Sequence, residues 1–240
     1  MAVEVLLVPG AGAEGTKTSS LVLLKKYFEK VIGISSGFVD GVISDSNKQR
    51  ATTPSEQADQ ISKLVKPNTV IVSQSLGALG VIESLRDPVI RAATAGVVLI
   101  APPARRPYSD VFLHPALVER LDAKPSKSGL FGGDVNIRTY SHPEGLSLTE
   151  AYQQEIAEHN DSFDDELREL TGLGIAKVVR PSRDWNQNYD TQTYPGTVEV
   201  IGTHSLAGGG PEELLMATKT VFGHIVMATN ALDVVQSRTT

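Results

Sequence analysis

Ser75 lies in the pentapeptide Ser73-Gln74-Ser75-Leu76-Gly77. This differs by one residue from G-x-S-x-G, the elbow that holds a nucleophilic serine on a strained turn between a strand and a helix. Both flanks must be small, because a side chain two positions either way collides with neighbouring backbone; Gly77 meets that demand, and Ser73 is small enough to stand for the first glycine. A hydroxyl is a poor nucleophile until a base takes its proton, and that base is usually a histidine whose tautomer is held by a carboxylate. His204, in Gly202-Thr203-His204, and Asp184, in Arg180-Pro181-Ser182-Arg183-Asp184-Trp185, each follow a short apolar run, so the chain order is serine, acid, histidine. Asp190 competes with Asp184 for the acid. His114 and His142 fall in an irregular stretch, His159 at a helix end and His224 within a helical pattern, whereas His204 alone follows a strand.

These groups are useful only if strands and helices bring them together. Thr69 to Leu85 opens with a β-branched run and continues with Leu79, Ile82 and Leu85 at helical spacing, which predicts strand, abrupt turn and helix. Upstream, Glu4 to Val8 reads as a buried strand, ended by the loop Pro9-Gly10-Ala11-Gly12-Ala13-Glu14-Gly15. Leu21, Leu24, Tyr27, Phe28 and Val31 give one apolar face to a helix from about Ser19 to Lys30. A second strand is expected within Val31 to Val42. Thr53-Pro54-Ser55-Glu56 has the cap and first-turn proline of a helix start, and the helix continues to Val65.

Beyond the central unit, Asp87-Pro88 reads as a break and Ala95 to Ala101 as a strand. Alternation of this kind implies a mainly parallel sheet with helices on both faces, whose sites form at the carboxyl ends of the strands. From Ala104 to about Leu146, prolines and paired glycines interrupt every element, too long a stretch for a plain connection. Helices are expected over Thr149 to His159 and Phe163 to Leu170. Strands follow over Ile175 to Val179 and Thr197 to Ile201, separated by a polar loop from Pro181 to Pro195. A closing helix runs from Pro211 to about Val235.

The 240 residues suit a single α/β domain, 1–240, with 104–170 as a lid or cap insertion. Net charge is -6 and no basic run occurs, which argues against a nucleic-acid or acidic-membrane surface. The absence of cysteine excludes disulfides, thiolate metal sites and a cysteine nucleophile together. Histidines are scattered and nothing resembles H-x-x-x-H, so neither a metal nor another cofactor is expected. The first residues have no basic region and place Glu4 inside a short apolar run, which reads against a signal peptide; with no stretch of transmembrane length, a cytoplasmic protein is the expectation. Oligomeric state is silent.

Taken together, the Pro-Gly loop after the first strand, the Ser75 elbow, the insertion after the Ala101 strand, and acid and histidine after the last two strands make the chain resemble a small member of the α/β-hydrolase family over nearly its whole length. The resemblance implies that Ser75 attacks, that His204 acts as base and then acid, and that Asp184 orients it. Two departures are Ser73 at the elbow and Pro181 where the acid loop commonly has glycine. Acyl transfer also needs donors for the developing oxyanion, and losing one typically costs about 2.7 to 4 kcal/mol of transition-state stabilisation. The Leu76 amide is the donor expected after the nucleophile, and the Ala11 amide, with Gly12 close behind, the second. Gly10, Gly12 and Gln74 border the same space and count with the substrate-binding residues. Arg105, with Arg106, could grip a substrate carboxylate, or form a solvated face at the start of the insertion. Phe112, Leu113, Leu117, Leu130 and Phe131 could line an acyl pocket, or simply pack the insertion down.

The expected activity is hydrolysis of a small ester, thioester or lactone through an acyl-enzyme. The same groups with water excluded would transfer or cyclise an acyl chain, and a scaffold without turnover would be a binding protein. A different class is also open: Gly10, Gly12 and Gly15 spell G-x-G-x-x-G after a strand, the fingerprint of a nicotinamide-dependent oxidoreductase. Against that, the helix is expected near Thr18 rather than at the second glycine, and Asp40 is the only carboxylate near the position for the ribose.

Overall fold

A computed structural model of the chain describes residues 4–10, 19–32, 34–39, 53–103, 162–182, 194–200 and Gly223. Among these residues six strands form one sheet: β1 (Glu4–Val8), β2 (Ser35–Phe38), β3 (Thr69–Gln74), β4 (Thr94–Ile100), β5 (Ala176–Pro181) and β6 (Val198–Val200). The order is β2-β1-β3-β4-β5-β6, and every pair is parallel. The chain therefore winds one way from β1 to β2, then reverses to β3 on the other side of β1. That reversal puts the carboxyl ends of β1 and β3 at the switch point, where open parallel sheets place their ligands.

Strand alternation divides the core into two layers. Leu6, Val8, Ile71, Val97, Leu99, Ala176 and Val178 point to one face and pack with Ile61 of α2 (Pro54–Leu64), Leu79 and Ile82 of α3 (Gly77–Ser84), and Phe163 and Leu167 of a helix over 162–172, here α5. Val5, Leu7, Val70, Val72, Val98, Ile100 and Val179 point to the other face, against Leu21, Leu24 and Phe28. Leu21 and Leu24 belong to α1 (Ser19–Tyr27), and Phe28 opens a π-helical turn (Phe28–Ile32) that continues it. Such burial on both faces explains why β3 reads as an unbroken apolar run rather than as an alternating one.

Local signals set the boundaries. Thr53 caps α2 through a reciprocal pair: its hydroxyl accepts from the Glu56 amide at 3.2 Å, and the Glu56 carboxylate accepts from the Thr53 amide at 3.1 Å. Asp87-Pro88, expected as a break, instead starts a short helix, α4 (Pro88–Ala93). The Asp87 carboxylate accepts from the Val89 amide at 2.8 Å, and proline sits where its missing N–H costs nothing. β4 begins at Thr94, and Ala101 already lies beyond it at φ 47. β5 starts one residue later than expected and ends two later, taking in Arg180 and Pro181, which pair with Glu199 and Val200. Pro181 is tolerated there because its nitrogen faces the β4 side, where β4 has already ended at Ile100. Residues 162–170, the end of the expected insertion, pack against the sheet as part of a layer helix.

Candidate functional site

β3 ends at Gln74 and α3 begins at Gly77, so two residues turn the chain back on itself. Ser75 takes φ 52, a left-handed conformation that costs an L-residue with a side chain about 1–2 kcal/mol. Its neighbours hold it there. The Ser75 amide donates to the Ile100 carbonyl at 2.9 Å, continuing the β3–β4 ladder one residue past the strand, and the Ser75 carbonyl accepts from Ala78 at 3.1 Å, opening the helix. The turn is thus fixed at one side by the sheet and at the other by α3.

Two glycines make room for it. A Cβ on Gly77 would lie 2.7 Å from both the Val8 and Pro9 carbonyl oxygens, so α3 can start directly above the end of β1 only without a side chain there. A Cβ on Gly10 would lie 2.6 Å from the Gln74 carbonyl oxygen, 2.7 Å from Ser75 Cβ and 3.1 Å from the Leu76 amide nitrogen. The loop after β1 is therefore in contact with the elbow itself. Buried Gln57 of α2 reinforces that junction, its side-chain amide donating to the Pro9 carbonyl at 3.2 Å.

Leu76, the residue at the cap position of α3, adopts a helical conformation, and no side chain caps the helix. The Ala78 and Leu79 amides are already bonded to the Ser75 and Leu76 carbonyls, at 3.1 and 3.0 Å, so the positive end of the helix dipole falls to the Leu76 and Gly77 amides. Gln74 is buried, and its place in the strand puts it on the face of Val70 and Val72. Ser73 points to the opposite face. It is fully buried, registered between Val8 and Leu99, and among the described residues its hydroxyl has no hydrogen-bond partner.

The structure thus brings Gly10, Gln74, Ser75 and Leu76 together. Ala11, Gly12, Gly15, Arg105, Phe112, Asp184, Asp190 and His204 lie outside the described residues. β5 and β6, after which Asp184 and His204 follow in the chain, are parallel to β3 and end on its carboxyl side. Among the described residues no group of His, Cys, Asp or Glu could hold a metal, and no helix is long and apolar enough to cross a membrane. The Gly10 contact with Ser75 gives the first glycine of G-x-G-x-x-G a structural role without a nucleotide, and among the described residues the strand order is 2-1-3-4-5-6, not the 3-2-1-4-5-6 of dinucleotide-binding sheets.

No family model and no curated protein matches the sequence. Solved structures do match. Est1E from Butyrivibrio proteoclasticus aligns with a TM-score of 0.56 over 95% of this chain and 89% of its own, at 12% identity. An extracellular α/β-hydrolase from a Paenibacillus species aligns at 0.53 over 91% of this chain and 98% of its own, at 8% identity. The fold is that of the α/β-hydrolases. A thermophilic esterase from Thermogutta terrifontis is similar at 0.52, covering 95% of this chain and 91% of its own, at 17% identity. The strand, two-residue turn and helix at Ser75 have the backbone form that the pentapeptide predicts, with Ser73 where that motif has its first glycine.

Sequence reasoning missed three features. Ala101 is a second strained residue at the same edge of the sheet; a small residue before Pro102-Pro103 was its only mark. The lack of a partner for Ser73 could not be read from its type. The buried pair Asp164 and Tyr194, covered by the exposed Arg168, was also missed, although its i,i+4 Asp-Arg pair and its Tyr-Pro-Gly turn are visible in the sequence.

Proposed function

We propose that this chain is a cofactor-independent serine hydrolase acting on a small ester, thioester or lactone. Ser75 attacks the acyl carbon, and the Leu76 amide, with Ala11 as second donor, holds the oxyanion. His204, oriented by Asp184, first takes the serine proton and then activates the water that releases the acid. The observation that carries this reading is Ser75 at φ 52 between a buried parallel strand and an uncapped helix, with the Gly10 backbone against it. Strain of this kind persists only where surrounding structure enforces it, and here it lies at the carboxyl end of β3, the edge at which open parallel sheets bind ligands. That a protein of similar structure is an esterase supports the choice of reaction class.

The decisive experiment is labelling with a fluorophosphonate probe, comparing wild type with Ser75→Ala, alongside turnover of a panel of p-nitrophenyl esters of increasing chain length. Labelling confined to wild type is expected. Equal labelling of both proteins, or none of either, removes Ser75 as nucleophile.

A further inference from the structure

The crossover from β5 to β6 is held at both ends. At its start the Ser182 amide donates to the Val200 carbonyl at 2.7 Å. At its end Tyr194 opens a tight turn, Tyr194-Pro195-Gly196-Thr197, with proline second, Gly196 third at φ 71, and the Thr197 amide donating to the Tyr194 carbonyl at 3.0 Å. This is the type II arrangement, in which only glycine takes the third position without strain. The Thr197 hydroxyl donates to the same carbonyl at 2.8 Å, so the Tyr194 backbone is fixed twice over.

Its side chain is fixed as well. Tyr194 is buried, and its hydroxyl donates to Asp164 Oδ1 at 2.7 Å. Asp164, only 4% exposed, accepts from Arg168 Nε at 3.1 Å through its other oxygen, and the Arg168 guanidinium lies 5.5 Å from the Tyr194 ring centroid. Burial, and then the bond to Asp164, raises the Tyr194 pKa above its ordinary range, against the lowering effect of Arg168 and Arg180. A phenol and a carboxylate are thus withdrawn from water and matched to each other, with the exposed Arg168 guanidinium closing over them, far more polar chemistry than a plain crossover needs.

Between the two fixed ends lies 183–193, which contains both candidates for the triad acid, Asp184 and Asp190. We infer that Tyr194 and Asp164 are positioning residues for the acid: the bond between them, braced by Arg168, ties the far end of the acid-bearing segment to α5. The role rests on the serine hydrolase reading above. A carboxylate that orients a histidine must stay within a fraction of an ångström of its place, and a segment tethered at one end only cannot ensure that.

The test uses the full chain and Tyr194→Phe, which keeps the ring over Arg168 and removes only the hydroxyl; Asp164→Asn is the second variant should the first fold poorly. Hydrogen–deuterium exchange is expected to speed up about tenfold or more across 183–193 while 69–85 is unchanged, because losing a buried bond lowers the local opening free energy. On p-nitrophenyl acetate, kcat is expected to fall about five- to twentyfold with KM unchanged, as misplacement of a catalytic group would dictate. The acid limb of the pH profile is expected to move to lower pH, since a less well held carboxylate supports the imidazolium less. Unchanged exchange across 183–193 overturns the anchoring whatever happens to activity. Faster exchange with kcat and the acid limb unmoved leaves a purely structural brace and overturns the positioning role. Wild-type turnover that survives Ser75→Ala overturns the hydrolase reading, and the positioning role with it, while the exchange result still decides the anchoring.

Discussion

Gly10→Ala tests the geometry of the elbow most directly. The added Cβ would fall 2.7 Å from Ser75 Cβ and 2.6 Å from the Gln74 carbonyl oxygen. Carbon atoms in contact prefer about 3.5–4.0 Å, so the pair is short by about 1 Å, and neither neighbour is the free end of a flexible chain. Either the loop after β1 retreats or Ser75 is displaced by about that distance. A misplacement of 1 Å typically costs about a hundredfold in rate, equivalent to about 2.7 kcal/mol of barrier. Overpacking adds about 1–3 kcal/mol of destabilisation. In a chain of this size each of those corresponds to about 2–4 °C in Tm. The assay is the rate constant of covalent labelling at Ser75 by a fluorophosphonate, read separately from probe affinity, with Tm measured on the same samples. Gly172→Ala is the control, since a Cβ there meets nothing within 4 Å. A folded Gly10→Ala protein that labels at the wild-type rate would refute the argument that this backbone contact sets the position of Ser75.

Further outcomes follow from strain, desolvation and titration. Ser75→Gly and Ser75→Ala should both abolish labelling, but the glycine variant should be the more stable by about 1 kcal/mol in urea unfolding, because only it relieves the φ of 52; equal stability would mean the turn is unstrained. Ser73→Ala should raise unfolding free energy by about 1–3 kcal/mol, because it removes a buried hydroxyl that lacks a partner, and a destabilised variant would show that the hydroxyl is satisfied in solution. The raised pKa of Tyr194 carries a sign. A proton held more tightly in the folded chain stabilises it fully below the unfolded phenol value of 10.0, and that contribution disappears as pH climbs from there toward the folded value. Stability measured by denaturant between neutral pH and the alkaline range should therefore fall more steeply above pH 10.0 in wild type than in Tyr194→Phe, and parallel curves would contradict the shift.

Much of the fold was legible because its signals are local. Thr53-Pro54-Ser55-Glu56 carries its own capping box, and the β-branched run into Ser75 could only be a short buried strand before a turn. Asp87-Pro88 misled for an equally local reason: the same dipeptide ends one helix and caps another, and the short α4 it starts buries only Ile90, too little to leave a periodic pattern.

By itself the sequence determined the class of fold and the strand-turn-helix on which Ser75 sits, because a strained turn demands small residues and a parallel sheet demands apolar runs. Tertiary structure alone decided which backbone touches which. Gly10 and Ser75 are far apart in the chain and become neighbours only because β1 and β3 pair, and Asp164 meets Tyr194 only because α5 packs against the same face of the sheet as the end of the crossover. Contacts across such separations depend on packing between layers, which residue types and spacing do not encode one position at a time.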